Sequence, residues 1–155
     1  MFDLYEEFKT LISSLHEHCV DYAVCGGLAM AVWGAPRATV DIDLLILTEA
    51  LEEAKAVANR LGFTIEALPM TVGGGAIEIR RLSKLDTDTG IVLPLDFLLV
   101  SPQIVEIWES RVRVPWEDAS LWTVSRRGLI ALKSLKPRPQ DLADIERLQE
   151  TGDEG

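Results

Sequence analysis

The sequence predicts an α/β chain of the α+β kind, and three observations carry that expectation. Apolar runs of strand length alternate with stretches of helical spacing through most of the chain. Residues 22–47 read as strand, glycine turn, short helix, turn and strand, a unit built around Gly26-Gly27. Residues 126–150 carry helical periodicity broken once by Pro137-Arg138-Pro139. With 155 residues and 48% apolar content the chain can bury a core. The expected layout is a core over 1–124, a helical pair over 125–150 packed on it, and a frayed tail over 151–155.

The elements follow in order. Residues 2–18 place Phe2, Leu4, Tyr5, Phe8, Leu11, Ile12 and Leu15 at helical spacing. His16 and His18 fall two apart, so on a helix they do not face one another, and they read as surface or partner-contact histidines rather than metal ligands. Residues 22–25 are a short strand, 28–33 a short helix, and 34–37 a turn. The apolar run 44–47 is the next strand, with Asp41 and Asp43 at its mouth. Thr48 is placed as the N-cap of a helix over 49–61, with Gly62 as its stop. Residues 63–68 supply the following strand and Pro69 ends it. The glycines of 71–75 read as a mobile loop.

Residues 76–82 alternate as a strand, with Arg80 and Arg81 adding positive charge at its end. Asp86, Asp88 and Gly90 mark a turn that has too few ligands for a calcium loop. Residues 91–100 form a strongly apolar strand with Asp96 in its middle and Pro94 suggesting an edge or bulge. A short helix is expected over 101–110, then strands over 111–115 and 119–124 around a turn at Trp116. Trp108, Trp116 and Trp122 fall in this stretch, and core packing is the commoner fate of such residues. Ser125 is the cap of the final pair, 126–136 and 140–150.

Three features carry chemistry. Asp41 and Asp43 at i and i+2 on a strand share a face about 6.5–7 Å apart. Two like charges on one face repel, which calls for a cation between them, and divalent magnesium or manganese is the hard ion that carboxylate oxygens suit. Strand, Gly26-Gly27 and helix N-terminus together make an anion site, where free backbone N–H groups meet the positive end of the helix dipole. Arg37 can return to that anion as a bidentate donor. Asp96, isolated in an apolar strand, needs compensation from a shared metal or from a neighbouring arginine.

The string GG, then G-x-P-R-x-T-x-D-I-D, resembles the first motif of the nucleotidyltransferase superfold, which includes DNA polymerase beta, and in this form is most similar to the AbiEii/AbiGii toxin family and small minimal nucleotidyltransferases. The resemblance implies a nucleotidyltransferase fold: a mixed sheet flanked by helices, with two metal-binding carboxylates from this motif and a third from a later strand. By that match Asp41, Asp43 and Asp96 are catalytic and hold Mg2+ or Mn2+, Gly26 and Gly27 cradle phosphates, and Arg37 and Lys133 bind the nucleotide. Leu28 stands where many active members carry serine. The tail GLIALKSLKPRPQDLADIERL is similar to the same family's C-terminal signature, where Asp141 and Asp144 would order the helix pair and orient its basic side chains. Capping and dipole effects account for that pair almost as well, and Asp144 is read as structural.

The implied activity is transfer of a nucleoside monophosphate from an NTP to a hydroxyl acceptor with loss of pyrophosphate. An RNA such as tRNA is the favoured acceptor, a small antibiotic-type molecule the second, and a nucleotide- or partner-binding module without turnover the third. A cognate antitoxin is an expected partner. The net charge of −10 argues against a broad basic surface that wraps nucleic acid. A local basic face is expected from Arg111, Arg113, Arg126, Arg127, Lys133, Lys136 and Arg138. Cys19 and Cys25 lack metal spacing and indicate no disulfide framework, with Cys25 a buried thiol. No signal or spanning segment is read, so a cytoplasmic protein without membrane contact is expected.

Overall fold

The structure, a computed structural model, describes residues 2–135 and 137–152. The frayed tail expected beyond residue 152 and the basic contribution of Lys136 lie outside the described residues. Eight strands form one sheet: β1 Ala23–Cys25, β2 Ile42–Ile46, β3 Ile65–Glu66, β4 Met70–Val72, β5 Ile77–Leu85, β6 Val92–Leu99, β7 Val112–Trp116 and β8 Ala119–Thr123. Their order is β3-β5-β6-β2-β1-β8-β7, with β4 pairing β5 beside that path. The sheet is mixed: β2 runs parallel to β6 and β1 parallel to β8, while the remaining pairs are antiparallel.

Among the described residues six α-helices flank it: α1 Leu4–Glu17, α2 Gly26–Val32, α3 Leu51–Arg60, α4 Val105–Glu109, α5 Arg126–Ser134 and α6 Pro139–Glu150. Helix α1 starts where Asp3 accepts the Glu6 N–H and buries Phe8, Leu11, Ile12 and Leu15, the i, i+3, i+4, i+7 stripe of an amphipathic helix. It packs against α3, which buries Ala54, Val57 and Ala58. The face they share is continuous. Ile42, Leu44 and Ile46 lie in register with Leu95, Phe97 and Leu99; all six are buried, and all but Leu99 belong to the same core as the two helices. Burying side chains of this size contributes about 1.5–3 kcal/mol each. Residues at i+1 on these strands point the other way, and there Asp43 and Asp96 stand.

Several expectations change. Thr48 caps no helix: residues Thr48–Ala50 form a turn of 3-10 helix that leads into α3, and no side-chain cap is present. The strand expected over 63–68 shrinks to the two residues of β3, both exposed, at the sheet edge antiparallel to β5. Phe63 is fully buried just before it, and the strand that lies parallel to β2 is β6. The glycine-rich stretch read as a loop contributes β4, which ends in a tight turn over Gly73–Gly75 where all three glycines take positive φ. Pro94 sits in an interior strand. The first residues of β6 nevertheless pair only with β5, because register with β2 begins at Leu95, so proline occupies a local edge.

The hairpin of β7 and β8 forms around Glu117, whose φ of 54° closes the turn. Trp116 packs edge-on against Tyr5 and Phe8 of α1. Trp108 is buried, and the Arg111 guanidinium lies between it and Trp122, at 3.9 and 4.8 Å from the two rings. His16 bonds the Tyr22 hydroxyl, which in turn accepts the Trp122 N–H, so this histidine ties α1 to β8. The basic face expected from the second half does not form as one surface. Arg126 is buried with its guanidinium on the Leu148 carbonyl, Arg111 is committed to the tryptophans, and Lys133 is turned inward. No described helix is long and apolar enough to cross a membrane.

Candidate active site

The site begins with strand register. Cys25, Asp43, Asp96 and Arg81 are successive partners across β1, β2, β6 and β5, so one row of side chains crosses four neighbouring strands on one face. Asp41 stands two residues before Asp43 and shares its face. One carboxylate oxygen from each of Asp41, Asp43 and Asp96 lies within 4.8 Å of the others. Burial, then the charges of Asp41 and Asp96, push the Asp43 carboxyl up to about 8. A carboxyl raised this far by burial and by neighbouring carboxylates marks a place where positive charge would be accommodated.

Of the two forms of compensation expected for Asp96, the arginine is present. Arg81 donates from Nε to Oδ1 at 2.7 Å and from Nη2 to Oδ2 at 2.9 Å, a bidentate pair. Each oxygen keeps a further acceptor direction for the cluster. Cys25 is buried beside them, and burial followed by the Asp43 charge pushes its thiol well above the usual range, so it is an inert neighbour.

Above this row sits the first turn of α2. Gly26 has φ +65°, and a Cβ there would lie 2.2 Å from Asp43 Oδ2; a Cβ on Gly27 would lie 2.6 Å from Thr39 Oγ1 and 3.3 Å from Arg37 Nη1. Gly26 needs glycine for both its positive φ and this approach, and at Gly27 a side chain would force Thr39 to shift. Cys25 gives α2 no side-chain cap, leaving its leading N–H groups open. Leu28 turns its side chain into the core periphery.

The helical pair supplies the opposite wall. Ser125 accepts the Gly128 N–H at 2.9 Å and starts α5 as expected. From α5, Lys133 is buried with its ammonium 2.8 Å from Asp144 Oδ2 and 3.7 Å from Asp141 Oδ1. Asp144 is fully buried and also accepts from Arg37 Nε at 3.0 and 3.1 Å and from Gln140 Nε2 at 2.9 Å. Asp141 accepts the Arg138 backbone N–H and Nε, closing the start of α6. Burial acts to raise both carboxyls, but Arg138 for Asp141, and Lys133 and Arg37 for Asp144, hold them below the ordinary range. Arg147 fixes the Arg37 turn through the Pro36 carbonyl.

Between the two walls opens a cleft of about 800 Å³, lined by Gly26, Gly27, Arg37, Asp41, Asp43, Asp96, Lys133 and Asp141 together with apolar residues of β4, β5 and β6. Asp144 lies behind it as a support. Sequence reasoning missed the Arg81 pairing, Thr39 and Gln140. For Arg81 a signal existed: with Leu85 opposite Val92 across the turn, stepping four residues along each strand pairs Arg81 with Asp96.

Comparison with known proteins fits this architecture. No curated protein matches the sequence. The lincosamide antibiotic adenylyltransferase LnuA, solved with lincomycin bound, superposes with a TM-score of 0.61 at 11% identity, over 95% of this chain and 97% of that one. TM1012 from Thermotoga maritima, named as a nucleotidyltransferase, gives 0.63 at 14% identity over 95% and 91%. ANT(2'')-Ia, solved with adenylyl-2''-tobramycin, gives 0.60 at 14% identity over 94% and 87%. At these identities the likeness establishes the nucleotidyltransferase fold. Residues 10–154 match the family described as nucleotidyl transferase AbiEii toxin, type IV toxin–antitoxin system, and the chain therefore belongs to the AbiEii nucleotidyltransferase family.

Proposed function

We propose that the protein transfers a nucleoside monophosphate from an NTP to a hydroxyl acceptor with release of pyrophosphate, using Asp41, Asp43 and Asp96 as its metal-binding carboxylates. The observation that carries this reading is three carboxylates gathered within 4.8 Å, with two glycines beside them at which an added Cβ would crowd Asp43 and Thr39. The donor set, all hard carboxylate oxygen, suits magnesium or manganese. When bound there, those ions supply Lewis-acid charge to the reacting phosphoryl group. Asp96 takes the proton from the attacking hydroxyl as its oxygen bonds to the α-phosphorus. The bond from that phosphorus to the bridging oxygen breaks, and pyrophosphate departs with the electron pair. Gly26 and Gly27 amides, Arg37 and Lys133 receive its charge.

Asp141 and Asp144 act through the cations: they hold Lys133, Arg37 and Arg138 in place. Residues 1–124 form the catalytic core, and 125–150 bring the cationic wall to it. Family membership supports an RNA end such as tRNA as acceptor, with a cognate antitoxin as partner and the cytoplasm as the setting. The small-molecule reading is supported by the antibiotic ligands named for two of the fold neighbours. Calorimetric titration of magnesium with each of the four NTPs tests the site. Wild type binds at least one NTP in a magnesium-dependent manner and Asp43→Asn does not; equal binding by both would remove Asp43 from the site, and no binding by wild type would leave a module without a nucleotide.

A further inference from the structure

Beyond the carboxylate row, the same face of the sheet changes character. Leu98 follows Asp96 at i+2 on β6, and Ile79 and Ile77 follow Arg81 on β5. Register places Ile79 beside Leu98 on one side and Met70 on the other, with Val72 beside Ile77. These five side chains all line the cleft and form an apolar platform that starts where the carboxylates end. Its far end is closed where Gly73 meets Leu135, at the end of α5, so that a Cβ on Gly73 would stand 3.3 Å from the Leu135 Cβ.

Strand order gives the platform a direction. The glycines stand over β1, Asp41 and Asp43 on β2, and Asp96 on β6, with β5 and β4 beyond. In-line displacement sets the attacking and leaving oxygens on opposite sides of the phosphorus. A pyrophosphate leaving toward the glycines therefore requires an acceptor arriving over β6, with its body over β5 and β4.

Charge decides what the acceptor can be. The four basic residues lining the cleft, Arg37, Arg81, Lys133 and Arg138, each already hold an aspartate. Arg81 is the one of them on the platform face, and Asp96 occupies both ends of its fork. Arg37 and Lys133 stand at the nucleotide end, and among the described lining residues the platform face itself has no cation left over for a further phosphate chain, whose binding depends on such cations.

Resting on the nucleotidyltransfer reading above, we propose that Met70, Val72, Ile77, Ile79 and Leu98 are the acceptor seat, and that the acceptor is a small, hydroxyl-bearing molecule without phosphates that lays an apolar face on them. The test uses phenyl β-D-glucopyranoside as probe, with glucose and a short RNA ending in CCA as comparators, on the full chain with magnesium and NTP. Ligand-observed NMR and competition give the affinities. The probe binds at least tenfold more tightly than glucose, and RNA does not displace it. Met70→Lys, on the short outer strand, and Ile79→Lys each weaken the probe tenfold or more while magnesium–NTP affinity stays within twofold. Probe binding no tighter than glucose, unaffected by both variants, or displaced by RNA overturns the seat. A parallel fall in magnesium–NTP affinity in the variants also overturns it, by making the platform the seat of the base. Absence of magnesium–NTP binding in wild type is separate: it removes the transfer reading, and with it the acceptor role.

Discussion

Two groups of aspartates face each other across the cleft, and they are opposite in kind. On the sheet, Asp41, Asp43 and Asp96 crowd together with one guanidinium between the three, and Asp43 is driven up to about 8. On the helical pair, Asp141 and Asp144 are enclosed by Lys133, Arg37 and Arg138 and are held below the ordinary carboxylate range. The first group is short of positive charge and the second is already neutralised. An acid cluster left short of cations invites an ion from outside, whereas a matched one fixes geometry. The same residue type thus has a chemical role on one wall and a positioning role on the other.

The contrast is broken most severely at Asp43. Asp43→Asn lowers NTP transfer by about 10³-fold or more, equivalent to about 4 kcal/mol of barrier, while urea unfolding of the metal-free protein shows no loss of stability at pH 8, because a crowded charge has been removed. Next comes Asp144→Ala, which strands the buried Lys133 ammonium and costs about 3–5 kcal/mol in the same unfolding measurement. Replacing Lys133 and Asp144 together by Met and Leu recovers most of that stability and leaves transfer impaired.

Titration sharpens the comparison further. The folded protein binds the Asp43 proton more tightly than the unfolded chain, whose carboxylates titrate near 4. Its contribution is therefore complete below pH about 4 and lost progressively as pH rises through about 8. Asp141 and Asp144 behave inversely: their contribution is present above the ordinary carboxylate value and lost as pH falls through their lowered values. Melting temperature of the metal-free protein should carry a decline from this group between pH about 4 and 8, and magnesium should reverse that decline but not the loss at acid pH. The smallest effect is expected at Ser125→Ala, where loss of the α5 cap costs about 1 kcal/mol and shifts Lys133 only slightly.

How much of this was legible in the sequence follows from the range over which each feature is determined. Asp41-Ile42-Asp43, the glycine pair and the Ser125 cap are set by neighbours within a few residues, and a local reading finds them. Asp96 was visible as a lone charge in an apolar strand. Arg81 was seen only as a charge, since its partner depends on hairpin register. The basic residues of the second half were counted correctly but pointed in different directions: Arg126 reaches the Leu148 carbonyl and Lys133 reaches Asp144, both partners on α6. Strands β3 and β4 escaped or were misplaced because edge pairing needs few residues and leaves little alternation. The apolar platform is spread over three strands and has no signature along the chain.

The row from Cys25 to Arg81 makes the site a readout of strand alignment. Side chains alternate, so a shift of β6 by one position against β2 would turn Asp96 into the apolar layer and bring Leu95 or Phe97 into the cleft. A shift of two would keep the face but carry the carboxylate about 7 Å along the sheet. Single-residue insertions or deletions within β2 or β6 should therefore be tolerated by neither core nor chemistry, whereas length changes in the 86–90 turn leave the β2–β6 alignment untouched. Among relatives that keep the site, length variation is therefore expected in the connections and not in these two strands.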